Sequence, residues 1–104
     1  MLRWLNNRNR YKENLNKNEV YEILSENDNV VLLDVRSPQE FKEGHMQNAI
    51  NIPTYEIKKN IEKIIKDKET IIICYCAIGV RSKKAIKMLR KLGYKNLYHL
   101  DGGM

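Results

Sequence analysis

Two uninterrupted apolar runs, residues 30–33 (VVLL) and 70–75 (TIIICY), limit this chain more than any other feature. Neither alternates polar with apolar, and both are rich in β-branched side chains, so each reads as a strand covered on both faces. Such strands belong to parallel sheets, whose connections need crossovers long enough to hold helices. The intervening segments supply them. Asn16 and Glu19 form an Asn-x-x-Glu capping box ahead of Val20, Ile23 and Leu24, which predicts a helix over residues 17–26. Ser37 and Pro38 are an N-cap and a first helical residue for a short helix over 39–43 that Gly44 stops. A second strand is expected over 49–52, closed by Pro53. Ile57, Ile61, Ile64 and Ile65 then mark the apolar face of a helix over about residues 55–66. A last helix starts near Arg81 or Ser82, with Ala85, Ile86, Met88, Leu89 and Leu92 inward and Gly93 at its left-handed cap. A short strand over 97–100 and a turn over 101–103 follow. Strands alternating with helices in this way define an α/β domain with a mainly parallel sheet.

With 104 residues there is room for one hydrophobic core and one domain. The two cysteines, Cys74 and Cys76, are separated by one residue inside or beside a predicted strand. That spacing suits neither a structural disulfide nor a metal site, which leaves a reducing, cytoplasmic setting as the expectation. No apolar stretch approaches the roughly 20 residues of a membrane-crossing helix. Residues 1–14 read as a basic tail, with Arg3, Arg8 and Arg10 around Leu2, Trp4 and Leu5, an amphipathic turn suited to a membrane surface or a partner. The formal net charge is +6, and between Arg81 and Lys95 seven basic residues occur with no acidic one. Without aromatic stacking platforms or a recognised motif in that helix, nucleic acid is not the expected partner. The basic segment instead draws a small anionic substrate toward the loop before it.

That loop, Cys76-Ala77-Ile78-Gly79-Val80-Arg81, joins the most strongly β-like segment to the start of a helix. Taken alone, Cys76 is either a small inert strand-end residue or a nucleophile. Successive amides in such a turn converge into an anion-binding nest, and the helix dipole adds partial positive charge. A thiol there ionises near or below neutrality, in the range of about 3.5 to 7.5 seen at helix N-termini. The context, with Gly79 and Arg81 in place, favours the nucleophile. Cys74, inside the strand, is expected to be core packing. His45 is expected to hydrogen-bond a turn, and His99 to be a strand or surface residue.

Several segments, in order, resemble the rhodanese family: Leu32-Leu33-Asp34-Val35-Arg36 with Glu40-Phe41, Gly44-His45-Met46, Asn48-Ala49-Ile50-Asn51-Ile52-Pro53, Cys76 to Ser82, and Leu100-Asp101-Gly102-Gly103. The resemblance runs from about residue 15 to 103. It implies a three-layer α/β domain over 15–104, with helices flanking the central sheet, and a sulfurtransferase that needs no cofactor or metal. In that scheme Cys76 takes a sulfane sulfur from thiosulfate, a persulfide or a polysulfide and yields it to a thiol, cyanide or a protein sulfur carrier. Ala77, Ile78, Gly79, Val80 and Arg81 would cradle the sulfur, and Asp34, Arg36 and Glu40 would order the neighbouring edge. Gly79 would provide a backbone conformation that a side chain obstructs.

Two other classes compete with this reading. Cysteine phosphatases and arsenate reductases also use a thiolate before a helix, but they place five residues between cysteine and arginine, whereas four lie between Cys76 and Arg81. A shorter loop makes a smaller cradle, better matched to one sulfur atom than to a tetrahedral oxyanion. Rhodanese-like binding or regulatory modules typically lack the loop cysteine, which is retained here. The chain departs from the family pattern in its uncharged Ala77 and Ile78, which point away from thiosulfate toward persulfide or polysulfide donors. It also stops at Met104, where the family usually continues into a closing helix.

Overall fold

In the computed structural model, residues 14–100 are described. The expected basic segment before Asn14 and the turn over 101–103 lie outside them. The described chain runs through β1 (Asn14–Leu15), α1 (Lys17–Glu26), β2 (Val30–Asp34), α2 (Pro38–Glu43), β3 (Ile50–Asn51), a 3-10 turn (Thr54–Glu56), α3 (Ile57–Ile64), β4 (Ile71–Tyr75), α4 (Val80–Lys91) and β5 (Asn96–Leu100). The strands form one five-stranded sheet in the order β1-β5-β4-β2-β3. Every pairing is parallel, as the unbroken apolar runs predict.

β4 lies at the centre and is buried along its whole length. It pairs with β2 from Val30↔Ile71 to Asp34↔Tyr75, and with β5 from Ile71↔Asn96 to Cys74↔His99. Its side chains divide between two cores by the strand period of two. Ile72 and Cys74, followed by Cys76, face Leu33, Ile57, Ile61, Ala85, Ile86 and Leu89, so α3 and α4 cover that side. Ile71, Ile73 and Tyr75 face Leu15, Val20, Ile23 and Leu32, which places α1 on the other. The result is a helix–sheet–helix sandwich with both sheet faces dry.

Local signals explain most element ends. The Asn16 capping box forms, with the Glu19 amide donating to the Asn16 carboxamide oxygen and the Asn16 amide to the Glu19 carboxylate, each at 2.8 Å. Gly93 adopts a φ of 100° beyond α4 and donates its amide to the Arg90 carbonyl.

Three expectations are corrected. Asn14, expected to belong to the basic tail, instead forms an edge strand on β5 with Leu15; two residues carry no periodicity from which such a strand can be read. The third helix is shorter than residues 55–66, since residues 54–56 form a 3-10 turn and Ile65 turns extended. Within it Ile64 is 52% exposed, while Ile57, Ile61 and Ile65 are buried. Ile64 follows the inward Ile61 by three positions, and the chain leaves the helix before Ile65, which reaches the core from extended backbone.

The paired isoleucines provide a test of this packing. Ile61→Ala should cost about 2–5 kcal/mol of unfolding free energy, the usual range for truncating a buried isoleucine. Ile64→Ala should stay within about 0.5 kcal/mol, as for an exposed site. Urea denaturation of both variants measures the difference, and equal losses would contradict the helix orientation.

Candidate active site

β4 ends at Tyr75, and the next residue, Cys76, begins a loop that leads into α4. The position lies outside the carboxyl end of a central parallel strand, where α/β sheets hold ligands. Gly79 carries a φ of 90°, a left-handed conformation that side chains disfavour, and a Cβ there would meet the His99 ring at 3.4 Å. This conformation turns the chain back over the sulfur. The Gly79 amide donates to Cys76 Sγ at 3.0 Å and the Ser82 amide at 3.2 Å.

These bonds decide the ionisation of Cys76. Burial favours the neutral thiol and is the largest single influence, but the Ser82 hydroxyl and amide and the amides of Gly79 and Arg81 together outweigh it. The thiol therefore ionises below its ordinary value. Cys74 shows what burial does without such donors: it is pushed far up by desolvation, with a smaller contribution from Cys76. It packs in the core beneath α4. Cys76 itself has no solvent-exposed surface, a feature its place in the sequence does not reveal.

The remaining loop residues divide by exposure. Ala77, Ile78 and Val80 face outward, with Ile78 80% and Val80 66% exposed, so the rim carries uncharged side chains. Arg81 contributes its backbone amide to the sulfur, while its guanidinium is committed elsewhere. Nη1 and Nη2 donate to the two carboxylate oxygens of Glu40 at 2.7 and 3.0 Å. Glu40 is also the N3 member of a capping box on α2, accepting from the Ser37 amide and hydroxyl at 3.0 Å each. The Arg81 hydrogen bond, then those from Ser37, hold its carboxyl down at about 2. Glu40 thus ties the start of α2 to the start of α4.

Asp34 and Arg36 form a separate, buried pair at the end of β2. Arg36 Nε and Nη2 donate to the Asp34 carboxylate at 3.0 to 3.1 and 2.7 Å, and the Arg36 amide adds a bond at 2.9 Å. Nη2 also donates to the Gly44 carbonyl at 2.6 Å, and the guanidinium lies 5.7 Å from the Tyr75 ring centroid. Tyr75 in turn accepts from the Met46 amide through its hydroxyl at 3.0 Å, and burial raises its phenol to about 12. Removing one partner of such a buried pair costs about 3–5 kcal/mol because the other charge is stranded. These residues fasten the segment after β2 beside the cysteine loop, and their hydrogen bonds run to one another, to the Gly44 carbonyl and to the Met46 amide. His45 stacks on Phe41, with ring centroids 3.6 Å apart, and donates from Nδ1 to the Phe41 carbonyl at 2.7 Å, closing the turn after α2.

His99 is a strand residue of β5, the first of the two places expected for it, and it is buried at 3% exposure. Its Nδ1 lies 2.8 Å from the Ser82 hydroxyl. The one available signal was register: on β5, His99 shares the sheet face of Leu97, which packs under α4. Ser82, fully buried one residue past the loop, was named as a helix start and as part of a family pattern, with no role at the sulfur.

The order of segments, the parallel sheet and the enclosed cysteine loop agree with the match of residues 16–104 to the family profile for the Rhodanese-like domain. The chain belongs to the rhodanese-like domain family. Among curated relatives, a tRNA uridine(34) hydroxylase from Sodalis glossinidius is 32% identical over 92 residues, covering 85% of this chain and 26% of that protein. The chain spans about a quarter of the length of the first curated relatives it matches. A rhodanese-like domain protein from Staphylococcus aureus is 31% identical, with a TM-score of 0.77 covering 89% of this chain and 88% of that one. A thiosulfate sulfurtransferase from Pseudomonas aeruginosa superposes with a TM-score of 0.80 at 27% identity, over 86% of this chain and 17% of that one. Among the described residues of this rhodanese-like domain, no helix is long and apolar enough to cross a membrane. Nor does any group of three or more His, Cys, Asp or Glu side chains there come together to hold a metal ion.

The Glu40 bridge has a defined pH dependence. A carboxyl whose folded value lies near 2, below its ordinary 4.5, stabilises the native state fully above the ordinary value. That contribution is lost as pH falls through the folded value. Wild type should therefore exceed Glu40→Gln in stability at pH 6, and the gap should close progressively between about pH 4.5 and pH 2. Thermal unfolding at a series of pH values measures it, and a gap independent of pH would contradict the ion pair.

Proposed function

We propose that the chain is a sulfurtransferase that carries sulfane sulfur as a persulfide on Cys76. The observation that supports this most is the convergence of the Gly79 and Ser82 amides on Cys76 Sγ, in a loop whose rim offers no acid or base. A thiolate held this way needs no general base. It attacks the terminal sulfur of a donor R–S–SH, forming the Cys76 S–S bond, breaking the donor's S–S bond and releasing RS⁻. An acceptor thiolate or cyanide then attacks the outer sulfur, and its departure regenerates the Cys76 thiolate. Charge is conserved in both transfers, and the same loop amides stabilise the sulfur before and after each one. Because Cys76 is enclosed, donor entry requires the loop to part around the exposed Ile78 and Val80.

The uncharged rim supports a persulfide or polysulfide donor over thiosulfate, whose dianion gains from cationic side chains at the mouth. The Arg81 guanidinium is paired with Glu40, whose carboxylate offsets its charge. The reading includes a cytoplasmic location, because a persulfide carrier with two free cysteines works in a reducing compartment. The hydroxylase activity named for the curated relatives belongs to proteins of which this chain spans about a quarter. A noncatalytic binding module is the reading to be separated by experiment.

Incubation with glutathione persulfide followed by intact-mass spectrometry should show a gain of one sulfur atom, reversed by dithiothreitol and absent from Cys76→Ser. An unmodified wild type would favour the binding module. Steady-state kinetics should give a higher kcat/KM with glutathione persulfide than with thiosulfate. The reverse order would reject the donor preference while leaving persulfide chemistry intact.

A further inference from the structure

The Ser82 hydroxyl lies at a junction. It donates to the Gly79 carbonyl at 3.0 Å and lies 2.8 Å from His99 Nδ1. A hydroxyl has one proton to donate, and the carbonyl can only accept. If Nδ1 lacked a proton it would compete for that single hydrogen. If Nδ1 carries one, it donates into the Ser82 oxygen and leaves the hydroxyl proton for the Gly79 carbonyl. The His99 ring also lies against Gly79, where an added Cβ would meet its Cε1 at 3.4 Å. One buried ring therefore touches both residues whose amides hold Cys76 Sγ.

We infer that His99 is a positioning residue of this site: its Nδ1–H holds the Ser82 hydroxyl on the Gly79 carbonyl, and its ring backs Gly79, so that together they fix the turn whose Gly79 and Ser82 amides donate to Cys76 Sγ. It acts through Ser82 and does not meet the donor. The inference rests on Cys76 as the reactive thiol, and its readout does not require sulfur transfer. Other groups bear on the same region. Cys74 lies opposite His99 on β4, and Lys83, Lys87 and Arg90 of α4 line, with Asn14, Ile86 and His99, a groove of about 280 Å³. Arg81 interacts with the Cys76 charge from the start of α4.

The test is the rate of iodoacetamide alkylation of Cys76 as a function of pH, measured in a Cys74→Ala background so that one thiol reports. His99→Leu removes the donor while keeping a buried side chain. It should raise the midpoint of the alkylation profile and slow reaction at pH 7 roughly three- to tenfold, the usual net worth of one hydrogen bond. His99→Asn, whose side-chain amide nitrogen can take the place of Nδ1–H, should recover most of the rate. Ser82→Ala should shift the profile like His99→Leu, and the double variant should shift it no further. Circular dichroism identifies variants that fail to fold; if His99→Leu does, the Ser82→Ala and His99→Asn pair decides.

An unchanged midpoint in folded His99→Leu, or additive shifts in the double variant, would overturn the inference. A shifted midpoint in a protein that forms no persulfide would retain His99 as a positioning residue and refute the transfer function instead.

Discussion

The central strand β4 is the constraint from which the rest of the structure follows. Parallel pairing on both edges satisfies its backbone, and helices cover both faces, so its side chains must be apolar over the whole length. The strand ends where it emerges from this packing, at Tyr75, and the chain must then turn to start α4 on the face occupied by Cys74. Cys76 falls at that turn. Its sulfur lies under the loop because the strand period continues the inward face of Ile72 and Cys74 for one more step.

Enclosure alone would have made Cys76 as inert as Cys74. The two cysteines are two residues apart on the same face, yet their thiols are displaced in opposite directions. The difference is the supply of donors. Cys74 lies among strands whose amides are already spent on their neighbours, whereas Cys76 faces the first turn of α4, where amides have no partner within the helix. Burial raises the cost of charge, and concentrated amides more than repay it in the low local dielectric.

Around this centre the fold fixes the loop from several directions. Glu40 joins the start of α2 to Arg81 of α4, and the Asp34–Arg36 pair fastens the chain after β2 to the Gly44 carbonyl. His99 supports the underside from β5. None of these contacts is local in sequence except the Asp34–Arg36 pair. Together they hold a turn that would otherwise sample many conformations, so the donor amides are aimed before any substrate arrives.

Much of this was legible before any coordinates. Unbroken β-branched runs required a parallel sheet, the Asn16–Glu19 and Ser37–Pro38 signals marked helix starts, and Gly79 marked a backbone conformation that a side chain would obstruct. Those features depend on backbone chemistry within a few residues, which sequence states directly. Tertiary structure alone decided that Arg81 pairs with Glu40, that Ile64 faces solvent, that Asn14 and Leu15 form an edge strand, and that His99 lies beneath Ser82. Each depends on a partner from a distant segment or on where a helix stops against its neighbours. Periodicity assigns a residue to a face, and only the packed chain determines what that face meets.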